Sequence, residues 1–175
     1  MKANPGCMEV EVPQDELIVS HTNLYGIITY ANDTFADISG FEVEELIGQP
    51  HNIVRHPDMP RSLFQNLWET VRNGKIWLGY VKNLRKDGGY YWVYAQVSQL
   101  FDKQGNLIGY KSLRAPVDAA KRYELEQSYA RLKEMEENLT KLSEWIDKAT
   151  YQKIEHLASA KNCSVSDVLK DLLES

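Results

Sequence analysis

Three runs rich in Val, Ile, Tyr and Trp follow one another in the middle of the chain: Ile76–Leu84 (IWLGYVKNL), Tyr90–Leu100 (YYWVYAQVSQL) and Leu107–Leu113 (LIGYKSL). β-branched and aromatic residues suit a pleated, half-buried surface. The joining pieces, RKDGG and DKQGN, have hairpin-turn composition. This pattern predicts a three-stranded antiparallel meander, which must cover one face to be stable. Leu17–Ser20 and Gly26–Tyr30 read as two further short strands, with Asn23 and Gly26 as turn formers between them.

The segments between these strand groups have helical spacing. Asn32–Ser39 carries Phe35 and Ile38 on one face, with Asn32 or Asp33 as a cap and Gly40 as a stop. Val43–Ile47 is a second short piece, closed by Gly48. Ser62–Asn73 places Leu63, Phe64, Leu67, Trp68 and Val71 along one stripe and ends at Gly74. The closure of these parts is an α+β fold, a five-stranded antiparallel sheet with short helices packed on one face. Such a cup has room for a ligand between sheet and helices.

The wall of that cup is expected in Gly48–Pro60, GQPHNIVRHPDMP. Its prolines forbid a long helix and hold short turns at fixed angles. Two histidines, an arginine, an asparagine and an aspartate lie within it, between core-forming neighbours. The formal net charge of −5 argues against a general nucleic-acid binder. Cys7 and Cys163 lack metal-ligand spacing, and no disulfide framework is indicated. No apolar run approaches the ~18 residues of a membrane span. A soluble protein of a reducing cytoplasm is the expectation.

YANDTFADISGFEVEELIGQPHNIVRHPDMPRSLFQNLW, GKIWLGYVKNLRKDGGYYWVYA and GNLIGYKSLR together resemble a PAS domain. More narrowly, they resemble the flavin-binding PAS domain of bacterial aerotaxis receptors, over about residues 15–118. The resemblance implies a PAS fold, noncovalent FAD and a redox- or oxygen-sensing role rather than catalysis. It carries the flavin-pocket pattern onto Asn32, His51, Arg55, His56, Asp58, Trp68, Trp77 and Asn83.

The chemistry of these residue types is compatible with that. The amide of Asn83 both donates and accepts, as the uracil-like edge of an isoalloxazine ring requires. Arg55 would clamp pyrophosphate or steady a reduced, anionic flavin. Trp68 or Trp77 would wall the ring or adenine. His51 and His56 would donate hydrogen bonds and respond to protonation near neutral pH, with Asp58 orienting Arg55 or His56. Structural readings stand beside these: Trp68 and Trp77 as packing, Asn32 as a helix cap. Heme ligated by His51 or His56 is the alternative cofactor. A cysteinyl–flavin adduct is not expected, because neither cysteine lies in the helical region beside the ring. No phosphate-cradling loop, HExxH or GxSxG motif points to an enzyme.

The chain divides into a loose leader (1–14), the PAS region (15–118), a helix (119–149) and a C-terminal helical pair (150–175). Leu125, Ser128, Leu132, Met135, Leu139, Leu142 and Ile146 alternate steps of three and four. That seam suggests a homodimeric coiled coil through 121–149, or a stripe docked on the domain's own sheet. TYQKIEHLASAKNCSVSDVLKDLLES faintly resembles the helical pair of ribbon-helix-helix DNA-binding proteins. Residues 121–175 carry nine Lys/Arg against eleven Asp/Glu, which weighs against DNA and for docking or dimerisation. The downstream signalling partner is not named by the sequence.

Overall fold

The computed structural model describes residues 8–145 and 148–173. Five strands, β1 (Ile18–Asn23), β2 (Ile28–Ala31), β3 (Trp77–Leu84), β4 (Tyr90–Phe101) and β5 (Leu107–Pro116), form one sheet in the order β2-β1-β5-β4-β3. Every pairing is antiparallel, as the turn chemistry predicts. In the β4–β5 turn, Asp102 Oδ1 accepts from the backbone N–H groups of Gln104 (2.9 Å) and Asn106 (2.8 Å). In the β3–β4 turn, Asp87 Oδ1 accepts from Gly89 N (2.9 Å). Both are Asx turns that fold back on their own backbone and fix the register of the strands they join.

Register explains why the sheet leaves a hollow. Trp77, Val97, Ser112 and Ser20 form one row across β3, β4, β5 and β1, and Gly79, Ala95 and Arg114 form the next. The centre of the inner face is therefore built from small side chains, with large aromatic ones towards its borders. Gly79 is required by this arrangement, since a Cβ there would overlap the Trp77 ring. That indole is 4% exposed, and its Nε1 donates to Asn66 Oδ1 at 3.0 Å.

The helices lie over this face. Asn32 caps α1 (Asp33–Ser39): its Oδ1 accepts from Phe35 N (3.2 Å) and Val19 N (2.9 Å), and its Nδ2 donates to Leu17 O (2.8 Å). Helix α2 (Val43–Leu46) follows, then the polar block, with a single 3-10 turn at His51–Val54, and then α3 (Arg61–Arg72). The block is tied to both edges of the sheet. At the β2 edge, Ile28 N donates to Gln49 O (2.8 Å) and His51 N donates to Gly26 O (2.9 Å). At the β3 edge, Arg55 forms a backbone bridge with Asn83.

The outer face carries Trp92, which packs with Tyr80, Tyr90, Val117, Leu125 and Tyr129. Leu125 and Tyr129 belong to α4 (Ala119–Trp145), so the first residue of the expected seam is buried within the domain. Tyr129 Oη donates to Tyr80 O at 2.9 Å. Of the stretch read as a loose leader, Met1–Cys7 lie outside the described residues. Met8–Val12, however, are engaged: Val10 N donates to Tyr90 O (2.8 Å) and Val12 is buried. Arg122 of α4 pairs with Glu9 (2.6 Å) and Glu11 (3.5 Å).

The described residues form two compact units, divided between Tyr129 and Ala130. In the second, α5 (Lys148–Lys161) and α6 (Val165–Leu173) make a helical pair around Ile154, Ala158 and Val168. Asn162 turns the chain at φ 52°, and Ser164 Oγ accepts from Asp167 N (3.1 Å) as the cap of α6. Leu157 is exposed rather than part of that cluster. Ile146 and the Leu142 side chain lie outside the described residues.

Gly79→Ala is expected to push the Trp77 ring off the sheet and cost about 1–3 kcal/mol. Urea unfolding followed by tryptophan fluorescence checks this; an unchanged midpoint and spectrum would count against it.

Candidate functional site

The unfilled centre of the inner face is a cavity of about 280 Å³. That is close to the lower end of small-molecule sites, about 300 Å³. Its floor is Val81, Ala95, Val97 and Ser112 from the sheet. Its helical side is Phe64, Leu67 and Trp68 of α3, one face of the stripe visible in the sequence. Trp68 meets Tyr110 edge-on with ring centroids 5.3 Å apart, closing one end. Exposed Tyr25, Pro50 and Asn52 stand where the cavity opens to solvent.

Five of the eight residues singled out from sequence line this cavity: His51, Arg55, Trp68, Trp77 and Asn83. Arg55 is held by its guanidinium lying 4.0 Å over the Phe64 ring. Asn83 is buried at 4% exposure on β3, directly opposite Tyr91 of β4. Burial pushes the Tyr91 phenol up to about 12, so it stays protonated.

The other three stand elsewhere. Asn32 is spent on capping α1 and bracing β1. His56 packs edge-on against Tyr90, and its Nδ1 accepts from Asp58 N at 3.1 Å. Asp58 reaches Lys82 on the outer face: Lys82 Nζ lies 2.9 Å from Asp58 Oδ2 and 3.4 Å from Glu126 Oε1 of α4. Burial alone would lower the Lys82 pKa; these two carboxylates more than offset that and raise it.

The sequence reading missed Ser20, Thr22 and above all Arg114. Arg114 is 4% exposed on β5, inside the sheet's inner face. Its Nη2 donates to Ser20 Oγ (2.7 Å) and lies 2.6 Å from His51 Nε2. A guanidinium has no acceptor, so His51 Nε2 accepts and the ring proton resides on Nδ1. Arg114 also sits 4.8 Å over the Phe35 ring, which stacks on His51 at 5.7 Å. Its Nη1 is buried without a hydrogen-bond partner, as is Thr22 Oγ1. Strand alternation was the available signal, since Tyr110, Ser112 and Arg114 share one face.

His51 as a residue is only half-buried, yet its ring lies among buried Phe35, Ser20 and Arg114. Desolvation first, and the Arg114 charge second, depress its pKa to about 3. The imidazole is therefore neutral across the physiological range. Burial also lowers Arg114, to about 10, which leaves it charged.

Residues 28–114 match the family described as PAS fold. The chain is 44% identical over 116 residues to the aerotaxis receptor of Escherichia coli, spanning 65% of this chain and 23% of that receptor. The chain carries a PAS domain of the aerotaxis-receptor type. A nitrogen fixation regulatory protein of Klebsiella pneumoniae is 29% identical over 124 residues, 71% of this chain and 25% of that protein. The chain thus spans about a quarter of the length of these relatives. Among solved structures, a light-oxygen-voltage domain studied with a flavin analogue superposes on the PAS domain with a TM-score of 0.53 at 20% identity, covering 69% of this chain and 87% of that one. The dark structure of the blue-light photoreceptor Aureochrome1 LOV gives 0.52 at 21% identity, over 73% and 87%. These two superpositions bear out the α+β sheet-and-helix architecture. No helix among the described residues is long and apolar enough to cross a membrane.

The buried imidazole makes stability pH-dependent. Between about pH 6.5 and 3 the unfolded chain binds a proton at His51 that the fold refuses. Stability is therefore greatest above 6.5 and falls as the pH drops through that window. His51→Gln is expected to flatten the fall by at most about 1.4 kcal/mol per pH unit. Urea midpoints at pH 7, 6 and 5 measure it, and parallel curves for the two proteins would refute the assignment.

Proposed function

We propose that the cavity receives the isoalloxazine ring of a noncovalently bound FAD, and that the domain is a redox or oxygen sensor rather than an enzyme. The observation that carries this is that two residues lining the cavity, Arg114 and Thr22, each hold a buried polar atom without a hydrogen-bond partner, Nη1 and Oγ1, on a face that also offers the Asn83 amide. A flat heteroaromatic ring with a polar edge would satisfy them, with Trp68 and Trp77 as apolar walls. Flavin would supply reversible electron storage, the chemistry a redox sensor needs. Similarity to the aerotaxis receptor supports FAD as the form, and the opening beside Tyr25 and Asn52 leaves a path for the dinucleotide tail.

Within this reading, Asn83 orients the ring edge, Arg55 stands where a phosphate would pass, and the two indoles exclude water. His51 Nε2 is engaged by Arg114, which weighs against its lone pair serving a heme iron. No cysteine is among the described residues that line the cavity, so the flavin would stay unattached. Output is proposed to leave through α4. Its first turns rest on the sheet's outer face, and Leu132, Met135 and Leu139 continue at coiled-coil spacing, suited to pairing with a second copy.

The purified protein, incubated with FAD and desalted, is expected to show a two-banded yellow spectrum that dithionite bleaches. Asn83→Leu should lower the retained flavin about tenfold, the scale of one lost buried hydrogen bond. A colourless protein, or an intense Soret band, would remove the proposal.

A further inference from the structure

The charges around the cavity are all of one sign. Arg55 and Arg114 line it, and among the described residues no aspartate or glutamate does, in a chain whose net charge is −5. Lys111 touches the cavity from β5, but alternation with Ser112 and Arg114 sends its side chain to the other face. Arg114 is the more deeply buried of the two arginines. Its contacts are a hydroxyl, a neutral imidazole and a phenyl face, none of which is a carboxylate. The titratable groups facing it are His51 from the polar block and Tyr91 from β4, both neutral at pH 7. A buried cation without a counter-ion costs several kcal/mol, and Nη1, buried without a hydrogen-bond partner, belongs to a residue that lines the cavity.

We infer that Arg114 is the counter-charge for a negative charge gained by the cavity's occupant, and so sets the reduction potential of the bound flavin. This rests on the flavin reading above. Reduction by an external low-potential donor delivers two electrons; with Arg114 present a single proton is taken from water, and the ring keeps one negative charge beside the guanidinium. Ser20 and His51 act as positioning residues, because they hold Nη2 and leave Nη1 directed elsewhere. The neutral state of His51 matters here: a second cation at 2.6 Å from Arg114 Nη2 would compete for the same charge.

The proton count can be read without any substitution. A two-electron, one-proton couple shifts by about 30 mV per pH unit, and a two-electron, two-proton couple by about 59 mV. The experiment is a dithionite redox titration of the FAD-loaded full chain at several pH values, on the acid side of the ionisation of free reduced FAD, with free FAD alongside. The expected result is about 30 mV per pH unit for the protein while free FAD gives about 59 mV. Arg114→Met should shift the oxidised-to-reduced ratio at fixed potential about a hundredfold towards oxidised, equivalent to about 59 mV for two electrons. Arg114→Lys should stay within about tenfold of the parent, or about 30 mV.

A protein slope equal to that of free FAD overturns the inference, as does an unchanged potential in an Arg114→Met protein that still holds flavin. If Arg114→Met fails to fold or to hold flavin, the slope of the unsubstituted protein decides by itself. Failure of the unsubstituted protein to hold flavin overturns the proposed function itself, and this inference with it.

Discussion

Arg114 projects from the middle of a sheet into an interior that offers it no carboxylate, and the surrounding structure is arranged to make that tolerable. Ser20 and His51 take up Nη2, and the Phe35 ring lies under the guanidinium. The imidazole is the more telling partner. Next to this charge, and out of water, it cannot itself be charged, and so it serves as an acceptor. The small residues Ala95 and Ser112, adjacent to Arg114 on the same face, leave space where a larger core side chain would have closed over the cation. Cavity and charge thus have a common origin in the residue sizes along β4 and β5.

The polar block can cover this hollow because it is anchored at both margins. Gln49 and His51 hydrogen-bond to the β2 side, and Arg55 bridges to Asn83 at the β3 side. Pro50 limits the freedom of the backbone between these anchors, and Pro57 and Pro60 do so just beyond them. Any displacement of Asn83 is therefore felt by the cover as well as by the strand. Alternation along β3 then puts the next residue, Lys82, on the opposite face, where it meets Asp58 from the end of the cover and Glu126 from α4. One strand carries the cavity's amide and the outer-face cation in consecutive positions.

How much of this was legible in the sequence follows from which signals are local. Strand runs and Asx-turn composition are local, and they gave the sheet with its antiparallel pairings. The compressed polar block was legible for the same reason, and five of the eight residues named from it and its neighbours line the cavity. Asn32 shows the limit: capping and ligand binding ask for the same side chain, and here two backbone N–H groups take its oxygen. His56 and Asp58 sit where the block turns away from the cavity, which depends on the 3-10 turn and not on residue type. Arg114 was missed because its significance is non-local. It lies one residue past the run read as a strand, and only the β1–β5 register brings Ser20 next to it.

The outer face raises a question of magnitude. Lys82 has two acidic partners, but Asp58 is 60% and Glu126 43% exposed, and ion pairs of that kind contribute about 0–1 kcal/mol. Trp92, Val117 and Leu125 are each less than a tenth exposed and pack together with Tyr80, Tyr90 and Tyr129. Burying even two such side chains is worth several times the ion pairs, at about 1.5–3 kcal/mol each. The position of α4 on the sheet is therefore set mainly by apolar packing against β3 and β4, while the ion pairs select its register. A change inside the cavity reaches α4 to the extent that it alters the twist of those two strands. The strand that carries Trp92 also carries Tyr91 and Val93, both fully buried on the opposite face. With core packed on both of its surfaces, β4 has little room to absorb a shift locally, which is why displacement on one face must appear on the other.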